Sequence, residues 1–328
     1  MSAVFASIKR ISLTLICVLV LLPITFMSLV GVYSLTLRTN LDEKFPPPGK
    51  MVDIGSHRLH IHCTGEYQSA TVLLEAGAGA WSTHWTRVQS LLSNHIRVCS
   101  YDRAGLGWSE KGPLPRDDRT IAAELDRLLL ASEEAPPYVL VGWSGGGPPA
   151  WLYAKTHPDV VMGVVMVESV TKSYRKWSDE NASITKIFVR DNLRPVLSLL
   201  EITQRVLFPT ELPAIISSEF SEFQKEVLAH PGFRSRMVSS SSAEGAAHED
   251  LAYMSDLGDT PLIVLEAGRV LWPISEIEWR DGQRQLLIQS TNSKHIVASS
   301  IGHNIPMDAP EIVVKAIEEL IQEPQVSE

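Results

Sequence analysis

The pentapeptide Gly142-Trp143-Ser144-Gly145-Gly146 closes the apolar run Tyr138-Val139-Leu140-Val141 and opens a segment with helix-like patterning. A serine at a sharp turn from strand to helix is held in a strained backbone conformation, with glycines around it that let the two elements approach. Such a turn is expected to present the hydroxyl at the carboxyl edge of the sheet, and the following helix, starting at Gly145, points its positive dipole end at the same spot. A serine hydroxyl becomes a nucleophile when a base removes its proton. His303 is the candidate base, in Ser300-Ile301-Gly302-His303-Asn304, after the last strand-like run and before a terminal helix. Most of the other nine histidines have ordinary places: His57, His60 and His62 in N-terminal strands, His157 in the helix after the serine, and His230 and His248 in an insertion. A serine and imidazole arranged this way perform acyl transfer through an acyl-enzyme intermediate, which requires no cofactor and no metal.

The elements that must position these groups follow from periodicity. Short β-rich runs occur at 58–63, 71–75, 96–102, 138–143, 163–168, 261–266 and 295–299. Several are almost wholly apolar, as strands covered on both faces of a mainly parallel sheet must be. Between them, Ile121, Leu125, Leu128 and Leu129 form one stripe at helical spacing, and Val313, Ala316, Ile317, Leu320 and Ile321 form another. Alternating strand and helix predicts an α/β fold with flanking helices. Residues 170–258 break the alternation, offering helix-like segments without a convincing strand, and read as a helical cap insertion. Its apolar residues, among them Ile187, Phe188, Leu197 and Phe208, either pack the cap on the core or line an apolar substrate pocket.

The N-terminus differs in kind. Residues 11–37 carry no charged side chain over 27 positions, which as a helix at ~1.5 Å per residue reaches about 40 Å, beyond a ~30 Å hydrocarbon core. Residues 1–40 are therefore expected to be a signal anchor, that is, a transmembrane helix, with a cleaved signal peptide and secretion as the alternative. Lys9 and Arg10 before the run favour a single pass with the remainder on the non-cytoplasmic side. Residues 41–50, with Pro46-Pro47-Pro48, read as a Pro-rich spacer, and residues 51–328 as the folded domain. A formal net charge of −9, from 38 acidic and 29 basic residues, supplies no basic field for nucleic acid.

Four motifs in order make the chain from about residue 51 to 321 similar to the α/β-hydrolase superfamily. Besides the serine turn and His303, residues 101–109, Tyr-Asp-Arg-Ala-Gly-Leu-Gly-Trp-Ser, resemble its D-x-R-G-x-G-x-S segment, with Ala104 in place of a glycine; Asp102 and Arg103 are read there as structural. Glu75-Ala76-Gly77-Ala78-Gly79 takes the place of the family's His-Gly loop without the histidine, so the resemblance implies an oxyanion hole of the Ala78 and Gly145 backbone N–H groups. The acid is displaced: Leu271 stands near its usual position after the seventh strand. Glu168, at the end of the sixth strand, is the expected third member of the triad, with Glu276 as the alternative, and Glu266 is read as a satisfied carboxylate within a strand. Cys63 and Cys99 fall on strands that adjoin in the family's sheet, so either a bridge or two buried thiols is expected. Serine at position 144 argues against the family's epoxide hydrolases and dehalogenases, which employ aspartate there. The resemblance implies a serine esterase or lipase-like hydrolase acting on a small, apolar ester, with an amidase or peptidase, or a catalytically silent ligand-binding member, as alternatives.

Overall fold

The computed structural model describes residues 45–181, 251–270 and 274–322, together with eight positions between 21 and 32. Eight strands form one sheet: β1 (Lys50–Asp53), β2 (Arg58–Thr64), β3 (Thr71–Glu75), β4 (Arg97–Tyr101), β5 (Tyr138–Trp143), β6 (Val161–Val167), β7 (Leu262–Ala267) and β8 (Ser293–Ala298). Their order is β1-β2-β4-β3-β5-β6-β7-β8, antiparallel at β1/β2 and β2/β4 and parallel from β4 through β8. Seven of the strands coincide with the expected runs to within two residues at either end. The eighth, β1, is a four-residue edge strand in which only Val52 is buried, too short and too exposed to leave a periodic signal.

Side-chain alternation sends each strand's apolar residues to two separate cores. On one face, Leu73, Leu140, Val164, Met166 and Val264 meet helices α2 (Asp118–Ser132) and α3 (Gly147–Thr156). On the other, Val72, Leu74, Val139, Val141, Val165, Val167 and Leu265 meet α1 (Thr86–Leu92) and α6 (Pro310–Gln322). Two further helices, α4 (Lys172–Glu180) and α5 (Glu276–Leu287), pack against each other beside β7, and a single turn, Ile305–Asp308, precedes α6. The stripes read in the sequence are the buried faces of α2 and α6, and each such side chain removed from water contributes about 1.5–3 kcal/mol. Asp117 starts α2, its carboxylate accepting the Thr120 N–H at 2.8 Å.

Cys63 and Cys99 face one another across the antiparallel β2/β4 ladder and are joined by a disulfide. The cap lies outside the described residues from 182 to 250, as does most of the apolar run. Within that run the described positions Leu21, Leu22, Ile24, Phe26, Leu29 and Val32 are helical and exposed. Among the described residues no helix is long and apolar enough to cross a membrane. Pro46-Pro47-Pro48 has no regular structure, and Phe45, just before it, is already packed on the domain.

The parallel arrangement sets up the site. The chain leaves β3, β5, β6 and β8 at one edge of the sheet, so residues 76–81, Ser144, Glu168 and His303 emerge on the same side.

Candidate active site

Ser144 follows Trp143 directly out of β5, with φ of 53° in the left-handed region, and opens a turn of 3-10 helix, Ser144–Gly146, that runs into α3. Such a conformation costs a non-glycine residue roughly 1–2 kcal/mol. Among the described residues four non-glycine positions have positive φ, and three of them are Ser144, Glu168 and Ser300, all on the loops of this edge. Strain concentrated in this way marks a functional site. The carbonyl of Ser144 accepts the Val170 N–H at 3.0 Å, fastening the serine turn to the exit of β6.

Glu168 is fully buried where β6 ends. Its Oε1 accepts the Ala267 N–H at 2.7 Å and the Trp279 Nε1–H at 3.3 Å, which leaves Oε2 facing His303 Nδ1 at 3.4 Å. The His303 carbonyl in turn accepts the Trp143 Nε1–H at 3.0 Å, so the imidazole loop is bonded to the residue preceding the serine. The rings of Trp143 and Trp279 lie 5.6 and 6.4 Å from that of His303. Trp279 carries no sequence signal for this place; it reaches Glu168 from α5, beyond a stretch without recognisable motif. Glu276 is exposed at the start of α5, and its carboxylate accepts from Arg280 Nε at 2.9 Å one turn along the same helix. Glu266 is held by Arg280 and by His295 Nε2 at 3.0 Å, a buried carboxylate already satisfied. Leu271 lies outside the described residues.

The loop after β3 reaches the serine turn by close approach. A Cβ on Gly145 would stand 3.0 Å from the Ala78 backbone nitrogen and 2.9 Å from its Cβ, so only glycine lets these two segments meet. Ala78 is exposed here, in a loop whose neighbours are buried. The backbone nitrogens of Ala78 and Gly145 therefore belong to one small region beside Ser144.

What fixes that loop is Arg103. Its guanidinium donates to the carbonyls of Ala76 and Gly77, the latter at 2.7 Å, and to Glu75 Oε1 at 2.5 Å. Tyr101 donates its hydroxyl to Glu75 Oε2. Burial, and then the Glu75 charge, push this phenol well above its ordinary 10.0, so it keeps the proton it donates. With both carbonyls drawn toward Arg103, the next amide can face the serine. Asp102 performs a parallel task, accepting the Ser82 N–H at 2.8 Å and the Trp108 N–H at 2.9 Å, with His60 Nδ1 2.9 Å away. The left-handed positions of this turn fall on Gly105 and Gly107, which is why alanine fits at 104. Arg103→Met is expected to destabilise the fold by about 3–5 kcal/mol, because it leaves the buried Glu75 charge without its cation. Urea unfolding of the variant against the parent protein measures this, and a change below 1 kcal/mol would remove Arg103 from the account.

His84 lies on the turn that continues the same loop, its ring 5.0 Å from Trp81 and 6.2 Å from Trp143. Burial pushes its pKa down from 6.5 to about 4, against smaller opposing effects from the Trp81 carbonyl and the Asp102 charge. The unfolded imidazole takes up a proton near 6.5 that the folded one refuses until about 4, so stability falls as pH drops through this window. The gap corresponds to up to about 3 kcal/mol. His84→Gln is expected to flatten the dependence between pH 6.5 and 4 in denaturant titrations, and an unchanged slope would show that other groups cause it.

A family model described as alpha/beta hydrolase fold matches residues 70–224. The sheet order, the strained serine after β5 and this match agree. The chain belongs to the α/β-hydrolase superfamily. Among curated proteins it is similar to the uncharacterized protein YqjL of Bacillus subtilis (strain 168), 27% identical over 248 residues, covering 75% of this chain and 81% of that one. Coverage of the other curated relatives runs from 18% of the length of a probable transporter of Hormonema carpetanum to 85% of that of an AB hydrolase superfamily protein of Gibberella zeae. Among solved structures it resembles the epoxide hydrolase CorEH, with TM-score 0.60 and 21% identity over 83% of this chain and 96% of that one. It also resembles an esterase from Thermogutta terrifontis, with TM-score 0.57 and 22% identity over 80% and 92%. At such identities these α/β-hydrolase structures share the fold, and the chemistry has to be argued from the residues.

Proposed function

We propose that this α/β-hydrolase is a serine hydrolase of carboxylic esters, with Ser144 as nucleophile, His303 as general base and then acid, and Glu168 as the acid that orients His303. The observation that carries the reading is the junction at His303: its Nδ1 faces the buried Glu168 while its backbone is bonded to the neighbour of Ser144. Ser144 Oγ attacks the ester carbonyl, and its proton passes to His303 Nε2. The imidazolium returns that proton to the departing alkoxide, and water then releases the acyl group by the same route. The Ala78 and Gly145 N–H groups receive the developing oxyanion, each worth about 3 kcal/mol in the transition state. Hydrolase activity fits both neighbours, but serine at 144 directs this chain to the esterase's chemistry, since the superfamily's epoxide hydrolases employ aspartate there.

The 11–37 run is proposed to anchor the enzyme in a membrane, supported by its length and by six large apolar side chains that stand exposed between positions 21 and 32. The disulfide supports a catalytic domain on the oxidising, non-cytoplasmic side. The test is covalent labelling of the full chain by a fluorophosphonate, followed by turnover of matched ester and amide substrates. Labelling at Ser144 with preferred ester turnover is expected. A protein that binds the probe reversibly without acquiring its mass is a ligand-binding member of the fold, and faster amide cleavage assigns it to the peptidases and amidases.

A further inference from the structure

Glu168 leaves the sheet on one strand and is bonded on the next. Its backbone belongs to the exit of β6, where its N–H donates to the Leu265 carbonyl at 2.8 Å and φ is 47°. Its carboxylate reaches the end of β7, where Oε1 accepts the Ala267 N–H at 2.7 Å. One such bond leaves the carboxylate plane unset, because the terminal torsion of a glutamate is broad. The second donor on Oε1, the Trp279 indole at 3.3 Å, comes from α5 and fixes the plane. Oε2 is then the oxygen that faces His303 Nδ1 at 3.4 Å.

The indole is in turn placed by the helix that carries it. Trp279 and Gln283 stand one turn apart on the same face of α5, and both are fully buried. Gln283 Nε2 donates to the Ser169 carbonyl at 2.8 Å. Between the two, Gly282 comes so close to Thr171 that a Cβ would stand 2.5 Å from its Oγ1. One face of α5 therefore grips the exit of β6 at residues 168, 169 and 171, and Tyr174 of α4 packs against the indole with ring centroids 5.6 Å apart. The Trp279 ring also stands at 79° to that of His303, 6.4 Å away, so it borders both members of the pair. We propose that Trp279 is a positioning residue for ester hydrolysis, holding Glu168 Oε1 so that Oε2 is kept on His303. The proposal rests on the serine-hydrolase reading and deepens it. Bulk alone accounts for a buried indole. The indole N–H groups of Trp108, Trp143 and Trp151, however, end on backbone carbonyls, whereas that of Trp279 ends on the carboxylate facing the candidate base.

The experiment uses the full chain in detergent micelles with p-nitrophenyl butyrate, and replaces Trp279 both in the parent and in Glu168→Gln. Trp279→Phe keeps an aromatic ring and removes the N–H. Replacement of Trp279 by 3-benzothienylalanine, which keeps the bicyclic shape without the N–H, stands in if phenylalanine unfolds the domain. In the parent either change is expected to lower kcat about tenfold, with KM altered less than twofold. In Glu168→Gln the same change is expected to alter kcat less than twofold, because the carboxylate through which Trp279 acts is already gone. A tryptophan that only fills the core would cost the same factor in both backgrounds. That result, a loss confined to KM, or a kcat within twofold of the parent's overturns the proposal. If fluorophosphonate still labels Ser144 in that case, the hydrolase reading survives; if the parent is neither labelled at Ser144 nor active on the ester, both fail.

Discussion

Ser144→Ala is expected to lower kcat for ester hydrolysis by about 10⁴- to 10⁶-fold, the range seen when the nucleophile of a concerted triad is removed. The large value follows from interdependence. Once the hydroxyl is gone, His303 has no proton to accept and Glu168 has no imidazolium to stabilise. What remains is oxyanion stabilisation and binding, which alone give roughly 10³- to 10⁴-fold over water. The Ser144 side chain is 5% exposed and sits on a backbone of positive φ, so alanine at this position also leaves the fold intact at little cost. KM is expected to change little. Single-turnover measurements with a chromogenic ester give the ratio, provided the variant is checked for the parent's unfolding profile. A residual rate within tenfold of the parent would exclude Ser144 as the nucleophile.

Glu168→Gln is the second large effect, expected at about 10³- to 10⁴-fold in kcat with little loss of structure. Glu168 Oε1 is committed to two donors, the Ala267 N–H and the Trp279 indole. A glutamine must keep its carbonyl oxygen toward those donors, so its NH₂ is forced toward His303 Nδ1. That amide can only donate, which requires Nδ1 to accept and moves the imidazole proton to Nε2, the atom that must receive the serine proton. The variant thus holds its base in the wrong tautomer. Glu276→Gln serves as the comparison and is expected to change kcat less than twofold, since that carboxylate is exposed and paired with Arg280. If Glu276→Gln carries the loss instead, the assignment of the acid is reversed.

Some of this was written plainly along the chain. The strand runs and the stripes at 121–129 and 313–321 were legible because periodicity is a local property imposed by the sheet and helix themselves. The serine turn was legible for the same reason, since strand, glycines and helix lie within ten residues of each other. The first strand was not, because four residues on an edge need no apolar face.

The proposed triad acid shows where local reading ends. Glu168 and Glu276 were both eligible from order alone, and Glu266 stood between them as a third carboxylate. The choice depends on which oxygen faces His303 across 135 residues of chain, and that is set by two donors from β7 and α5. Arg103 likewise looked like part of a turn motif until its guanidinium met the carbonyls of Ala76 and Gly77. By itself the sequence determined the order of elements, the serine, the histidine and the uncharged run, because each is a matter of residue type and near spacing. Only the tertiary structure decided which carboxylate faces the imidazole, what steadies the loop after β3 and where Phe45 packs, because those depend on distances between residues that the chain brings together from far apart.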